Sequence, residues 1–301
     1  MNMLRNVIRL LLVGLTLSIF GVTTSHAANK VLKIGHIGVM SGPAASWGLI
    51  NKYAALAGAE IINEDGGFEI GGEKYDIEIV SLDTKQDPRV AIAGTERLVY
   101  QEGIKYIIGP NVDDTTRAVL PVLEKAGAFN ICYGWHRELF TAPSKNTALG
   151  MIAGYQSAPV IYKYLKEQKG VKSLACVPRN DASGLNSRDS CVEAANQLGI
   201  KITSSDSTYE PNTSDFFPIM GRIIGQKPDL IVLSGVAPSD APLLIRAARE
   251  LGYKGLMSTE TAMDANIIKE VAGEMANGFV SVGGASAPEL RTDAMKRFID
   301  R

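Results

Sequence analysis

The sequence predicts an α/β protein built from two doubly wound lobes, each a parallel sheet covered by helices, joined by a hinge. Short runs rich in Ile, Val and aromatic residues alternate with segments whose apolar residues recur at helical spacing. Several of the short runs, such as 104–108 and 230–233, are apolar on both faces, as strands are when helices cover both sides of a sheet. Repeated strand–helix–strand units give parallel pairing through right-handed crossovers.

The elements follow one another in a regular order along the chain. The predicted strands are 31–40, 75–82, 104–109, 128–133, 171–177, 200–205, 229–235, 255–258 and 278–282. The predicted helices are 47–63, 88–100, 118–125, 157–169, 188–198, 216–225 and 241–251. Gly127, Gly199 and Gly252 each follow a helical run, where a residue in the left-handed conformation commonly ends a helix.

The regular alternation is interrupted once, between residues 133 and 150, by a stretch that contains Pro143 and Asn146. Strand–helix alternation then starts again, and we interpret the interruption as the passage from one lobe to the other. The predicted domains are lobe 1 over residues 28–149 plus 283–301 and lobe 2 over residues 150–282.

Residues 1–27 have the pattern of a secretory signal peptide. Two arginines precede an apolar run over 10–22, and small residues follow at 25–27. The run is too short to span a bilayer, although an uncleaved anchor is the alternative. The predicted cleavage site lies before Ala28. Because the residue after this site is not a cysteine, we expect no lipid anchor. The prediction is an exported protein.

Charge and cysteine content exclude several classes of function. The chain has 31 basic and 32 acidic residues without a basic block, which argues against nucleic acid as a partner. In an oxidising compartment Cys176 and Cys191 could form a disulfide, but two buried thiols are an equal alternative. The spacing of the cysteines and histidines predicts no metal site.

Enzyme motifs are absent from the sequence. It has no G-x-G-x-x-G turn, no P-loop, no H-E-x-x-H helix and no G-x-S-x-G nucleophile turn. His136 could act as a general base, but no Ser or Cys nucleophile accompanies it. We therefore predict a protein that is not an enzyme and uses no cofactor, with an exported hydrolase that uses His136 as an alternative.

In open α/β sheets, ligands bind in the crevice beyond the carboxyl ends of the strands. The segments that follow the predicted strands are therefore the candidates for a site. They are 40–48, 109–116 and 133–138 in the first lobe and 178–184, 235–240 and 258–264 in the second lobe.

A set of motifs in a fixed order carries a resemblance to a known family. The motifs are KIGHIGVMSGP at 33–43, AGAEIIN at 57–63, GG at 66–67, Asp83, DP at 87–88, IKYIIGP at 104–110, KPDLIVLSG at 227–235 and IRAARELG at 245–252. The chain resembles the Leu/Ile/Val-binding group of periplasmic solute-binding proteins, which have the type I two-lobe fold. The resemblance implies a receptor that closes around a solute and is recognised by the membrane permease of an ABC importer. We expect it to act as a monomer.

The resemblance also implies a set of ligand-binding residues: Trp47, Asp113, Gly134, His136, Ser183, Val236 and Glu260. In the family an aromatic at the position of Trp47 packs on the ligand, and Glu260 stands where a carboxylate receives the ligand's ammonium. Asp113 and His136 replace a serine and a threonine that hold the ligand's carboxylate. Ser183 and Val236 replace aromatics, and Gln86 and Val112 fill the positions of a disulfide near the cleft.

These departures leave the identity of the solute open. An amino acid is favoured if Glu260 keeps its ammonium partner and Gly134 and His136 help to bind the carboxylate. A neutral or cationic amide, urea-like or amine solute is expected instead if Asp113 faces the cleft unpaired. Trp47, Trp135 and Tyr133 would also suit an aromatic acid.

The ligand-sensing half of a receptor is another function of the same fold. No attached signalling segment is visible in the sequence. The last residues, from Leu290 to Arg301, have helical spacing, and members of the family continue further. We therefore expect a C-terminally truncated chain, with a hydrophobic sheet edge left uncovered.

Overall fold

The protein folds into two parallel sheets flanked by helices in a computed structural model that describes residues 28–140, 145–263, 265–283 and 291–299. The strands are β1 (Lys30–Gly38), β2 (Phe68–Ile70), β3 (Glu73–Asp83), β4 (Tyr106–Asn111), β5 (Phe129–Tyr133), β6 (Thr147–Leu149), β7 (Ser173–Pro178), β8 (Lys201–Ser204), β9 (Leu230–Ser234), β10 (Leu256–Ala262) and β11 (Phe279–Val282). The α-helices are α1 (Ala45–Glu64), α2 (Pro88–Glu96), α3 (Asp113–Ala126), α4 (Gly154–Lys169), α5 (Ala182–Gln197), α6 (Phe217–Gly225), α7 (Ala241–Glu250), α8 (Ala265–Ala272) and α9 (Asp293–Ile299). A π-helical turn (Arg97–Gln101) and two 3₁₀ turns (Arg137–Phe140 and Gly273–Ala276) complete the elements.

The strands form one sheet in each lobe. The first sheet has the order β2-β3-β1-β4-β5-β6 and the second the order β11-β10-β9-β7-β8. All the pairs are parallel except β2 with β3. The predicted fold class, two doubly wound parallel sheets, is confirmed. The predicted signal peptide lies outside the described residues, and the lobe boundaries remain a prediction.

The second lobe has an apolar core on each face of its sheet. Leu230 and Val232 of β9 pack beneath α4 and α5, while Ile231 and Leu233 pack beneath α6 and α7. Successive side chains of a strand point to opposite faces, so a strand that is apolar at every position fills both cores.

Cys176 of β7 and Cys191 of α5 form a disulfide in the second lobe. The structure therefore selects the disulfide over two buried thiols. The bond ties α5 to the face of the sheet that it covers. Cys132, on β5 of the first lobe, is a buried free thiol.

The first sheet is covered unevenly. On one face, Ile37 and Ile107 of the sheet form a core with Ala91 of α2 and with Val119 and Leu123 of α3. On the opposite face, apolar side chains of β4 and β5 are exposed, with relative exposures of 50% for Tyr106, 43% for Phe129 and 38% for Ile131.

Several elements differ from the sequence prediction. The strands β2 and β3 form a hairpin through Gly71 and Gly72, both at positive φ, and β6 lies in the stretch predicted to be irregular. Helix α3 begins at Asp113, five residues before the predicted start, because its first turn is polar and carries no apolar periodicity. None of the helices in the part of the chain that the structure describes has the length and hydrophobicity that a membrane span requires.

Candidate functional site

The site is organised by the loops that follow β4 and β5, where the carboxyl ends of parallel strands meet. Val112 has φ of 61°, and this left-handed residue turns the chain sharply from β4 into α3. Asp113 is therefore the first residue of the helix and points toward the loop after β5. Its Oδ1 accepts hydrogen bonds from the backbone N–H groups of Trp135 at 2.8 Å and His136 at 3.2 Å.

Asp113 is completely buried, and its environment acts on the carboxyl in opposite directions. Burial raises the pKa of Asp113 because it disfavours the charged form, whereas the two backbone N–H donors lower it. The helix N-terminus also favours a negative charge at this position. The result is a buried carboxyl that needs donors or a nearby cation when it is ionised.

Asp113 also contacts the second lobe. Its backbone N–H donates to Ser183 Oγ at 3.1 Å, and Asn186 Nδ2 donates to its Oδ2 at 3.4 Å. Ser183 and Asn186 lie one turn apart on α5. A second polar contact between the lobes joins Ser239 Oγ to the carbonyl oxygen of Pro43 at 3.2 Å. The two lobes therefore touch at the strand ends.

A cavity of about 170 Å³ lies beside this contact. It is lined mainly by apolar and aromatic groups, with two asparagines: Trp47, Ile50, Asn51, Asn111, Val112, Tyr133, Trp135 and Met151. The rings of Trp47 and Trp135 meet edge to face, with centroids 6.3 Å apart. An apolar cavity of roughly 150 Å³ in another protein holds a molecule the size of benzene, so this one has room for a small apolar group.

Glu260 lies in the second lobe, on β10, with no solvent-exposed surface. Its Oε1 accepts hydrogen bonds from Tyr162 at 2.8 Å and from Ser234 at 3.0 Å, whereas Oε2 has no partner among the described residues. Burial raises the pKa of Glu260 to about 7, and the hydroxyl donors only partly oppose it. Glu260 does not line the cavity beside Trp47.

A family model described as "Periplasmic binding protein" matches residues 31–301 of the chain. The chain belongs to the periplasmic binding protein family. The Leu/Ile/Val-binding protein of Citrobacter freundii is 26% identical over 259 residues, 85% of this chain and 68% of that protein. An amino acid binding protein of Pseudomonas aeruginosa is 27% identical over 282 residues, 92% of this chain and 72% of that protein.

Solved structures show the same fold as this family member. The branched-chain amino acid transporter substrate binding protein LivJ of Streptococcus pneumoniae, in complex with isoleucine, matches with a TM-score of 0.78 and 22% identity over 90% of this chain and 76% of that chain. A leucine binding protein of Thermotoga maritima matches with a TM-score of 0.75 and 20% identity over 89% and 74%. The resemblance found in the sequence is confirmed, and the protein is a binding protein rather than an enzyme.

Some of the ligand-binding residues predicted for this chain lie close together in the structure, whereas others lie apart. Trp47 lines the cavity, and Asp113 lies at the contact between the lobes with Ser183 and His136. Val236 is buried in the second-lobe core against which Trp47 packs. The roles of the seven residues in ligand binding remain predictions.

Gly134 and His136 use their polar groups within the first lobe. The backbone N–H of Gly134 donates to Cys132 Sγ at 3.3 Å, and a Cβ at this position would lie 2.7 Å from Thr116 Oγ1. The imidazole Nδ1 of His136 accepts the backbone N–H of Glu138 at 3.3 Å. The sequence assigned the Gly134 N–H to a ligand carboxylate, whereas the structure gives it a partner in the protein.

A charged network at the carboxyl end of β7 was not predicted. Arg179 is 2% exposed and forms an ion pair with Asp181, while Tyr209 donates to Asp240 Oδ2 at 3.0 Å. The segment 178–184 was predicted to border the cleft, but nothing in its spacing indicates which charges pair. Within the described ranges, no group of His, Cys, Asp and Glu has the arrangement of a metal site.

Proposed function

We propose that this protein is an exported receptor that captures an amino acid or a related small solute between its lobes and delivers it to the membrane permease of an ABC importer. The observation that carries the proposal is the position of Asp113. This residue is buried at the end of β4, is held by the loop after β5 and contacts Ser183 and Asn186 of the other lobe. The contact between the lobes therefore lies next to the cavity, because Val112, which lines the cavity, directly precedes Asp113.

The class of solute is supported by the named relatives and by the chemistry of the cavity. The names of the relatives in Citrobacter freundii and Pseudomonas aeruginosa state that they bind amino acids. Trp47, Trp135 and Ile50 offer an apolar wall for a small side chain. Glu260 Oε2, an acceptor without a partner in the described protein, suits an ammonium group.

A receptor of this kind needs no catalytic group. The free protein samples open and closed arrangements, and a solute that touches both lobes stabilises the closed one by its differential affinity. The permease then recognises the closed pair of lobes. The solute is released unchanged, and a monomer is sufficient for capture.

The proposed location is the periplasm. Residues 1–27 have the composition of a signal peptide, and the family is named for periplasmic proteins. Expression of the full chain with a C-terminal tag, followed by osmotic-shock fractionation and N-terminal sequencing, tests this part of the proposal. We expect a periplasmic product that begins at Ala28, whereas a membrane-bound product that begins at Met1 would contradict it.

Ligand-induced stabilisation tests the capture itself. The purified protein is screened by thermal shift against amino acids, aromatic acids, amides and amines. A solute at one hundred times its Kd stabilises the folded state by about 2.7 kcal/mol, which raises the melting temperature measurably. Recovery of the solute unchanged after incubation excludes a hydrolase that uses His136.

Matched variants on one helix locate the binding. Trp47→Ala removes the aromatic wall of the cavity, whereas Tyr53→Ala, on the same helix and 62% exposed, leaves it in place. We expect Trp47→Ala to lose at least tenfold in affinity and Tyr53→Ala to bind as the unchanged protein does. No response to any class of solute, or equal losses in both variants, would contradict the proposal.

A further inference from the structure

The loop after β5 already holds a carboxylate, and that carboxylate belongs to the protein. Trp135 and His136 aim their backbone N–H groups at Asp113 Oδ1, at 2.8 and 3.2 Å. The preceding N–H, of Gly134, is directed at Cys132 Sγ. Three successive backbone donors that could receive an anionic group of a solute are thus satisfied inside the first lobe.

The other oxygen of Asp113 is only weakly satisfied. Its contact is Asn186 Nδ2 of the second lobe, at 3.4 Å, which is long for a hydrogen bond to a carboxylate. A buried carboxylate needs strong donors on both oxygens, because its charge has been removed from water. An N–H group of a solute that enters between Asp113 and Asn186 would supply what this oxygen lacks.

The charges around Asp113 add to this preference. Asp114 follows it on α3, and His136 is the basic side chain whose charge acts on it most directly. The imidazole of His136 is turned toward Glu138, with Nδ1 3.8 Å from Glu138 Oε2. On the second lobe, Arg179 is paired with Asp181, and Asp240 lies in the same network. A second carboxylate brought to Asp113 would therefore meet like charge without a dedicated cation among these groups.

We infer that the solute presents N–H donors, not a carboxylate, to Asp113 at the carboxyl ends of β4 and β5. The class is a small apolar compound that ends in an amine or a carboxamide. This inference rests on the proposed function and narrows it, because it assigns Asp113 the place that a solute's own carboxylate would otherwise take. Asp113 then determines specificity by occupying the donors and by repelling acids.

Matched pairs of solutes test the inference. Isothermal titration at pH 7.5 compares L-leucine with L-leucinamide and L-phenylalanine with L-phenylalaninamide, which differ only at the carboxyl group. We expect each amide to bind at least about tenfold more tightly than its acid. The amines 3-methylbutylamine and 2-phenylethylamine, which lack the carboxyl carbon, distinguish an amine-binding from an amide-binding site.

Substitution of Asp113 should reverse the preference. Asp113→Ser frees the N–H groups of Trp135 and His136 and removes the repulsion, so we expect the acid-to-amide affinity ratio to rise at least about tenfold. Asp113→Asn keeps the shape and removes the charge, and it should move the same ratio in the same direction if the serine variant does not fold. Asp206→Ser, at a position whose side chain is 92% exposed, is the control for loss of an aspartate and should leave the ratio unchanged.

Three results would overturn the inference, and they differ in what else they refute. Acids that bind the unchanged protein as tightly as their amides would refute it while leaving the capture of solutes intact. A ratio that stays the same in folded Asp113→Ser or Asp113→Asn would refute the role of Asp113. If no solute of any class binds, the proposed function fails first, and the inference fails with it.

Discussion

Replacing Glu260 by glutamine tests the electrostatics of the second lobe with almost no change in shape. The carboxyl is completely buried, and burial raises its pKa from 4.5 to about 7. The folded protein therefore holds a proton on Glu260 over a range in which the unfolded chain has lost it. This group contributes stability that is fully present below pH 4.5 and is lost as the pH rises through 7.

The size of the effect follows from the two pKa values. The difference between about 7 and 4.5 corresponds to about 3 kcal/mol, at 1.36 kcal/mol per pH unit, and about 2.5 kcal/mol of it falls between pH 5 and pH 8. Glutamine does not titrate, and its Oε1 can accept the same hydrogen bonds from Tyr162 and Ser234. Its amide nitrogen meets the same lack of a partner at both pH values, so that cost cancels.

The measurement is the free energy of unfolding in urea at pH 5 and pH 8, for the unchanged protein, Glu260→Gln and Asp206→Asn. We expect the stability of Glu260→Gln relative to the unchanged protein to increase by about 2.5 kcal/mol from the lower pH to the higher one. Asp206→Asn, an exposed control, should show no such increase. A change for Glu260→Gln below about 0.5 kcal/mol, or one of opposite sign, would refute the assignment of a buried, readily protonated carboxyl.

Three further predictions concern the disulfide, a buried histidine and a helix contact. Reducing Cys176–Cys191, whose partners are 15 residues apart, should lower the free energy of unfolding by about 3 kcal/mol, and equal urea midpoints with and without dithiothreitol would contradict this. Burial lowers the pKa of His36 from 6.5 to about 4, so its Cε1–H resonance should titrate below pH 5. The free energy of unfolding should fall as the pH drops from 6.5 through 4, whereas a titration midpoint near 6.5 would contradict burial of the imidazole. Gly48→Ala should lower stability by about 1–3 kcal/mol, since its Cβ would lie 2.0 Å from the Val39 carbonyl oxygen. Gly58→Ala, on the same helix, meets nothing within 4 Å and should raise stability by up to about 1 kcal/mol. Equal urea midpoints for the two variants would contradict the predicted clash at Gly48.

The fold class could be predicted because its signal is repeated along the chain. A strand such as β9, apolar at each position from Leu230 to Leu233, fits only a sheet that is covered on both faces. The hairpin of β2 and β3 was missed because β2 has only three residues, which is shorter than any pattern that periodicity can detect. The start of helix α3 was predicted five residues too late because its first turn has no apolar spacing. Only its position directly after a strand indicates that these residues are helical.

The sequence indicated that the predicted site residues share one edge of the sheet, but it did not indicate the partners of each side chain. Trp47 lines the cavity and Asp113 lies at the strand ends because the loops that follow parallel strands share one edge. Glu260 was placed beyond a strand that was predicted to end at residue 258, but β10 continues to Ala262. Its side chain is therefore directed into the lobe, where it meets Tyr162, and its burial could not be seen from spacing alone.

An aspartate at position 113, where the family resemblance predicts a serine, supports two opposite interpretations when only the sequence is considered. From the sequence, the charge of the carboxylate should repel an acidic solute. The backbone N–H donors of the loop after β5 would still be free to bind such a solute. The left-handed turn at Val112 sets the direction of the side chain, and it brings Oδ1 to the very N–H groups that a solute would need. Repulsion and loss of donors thus have a single cause, so the affinity for acids should recover only when the side chain that fills the loop is removed or neutralised.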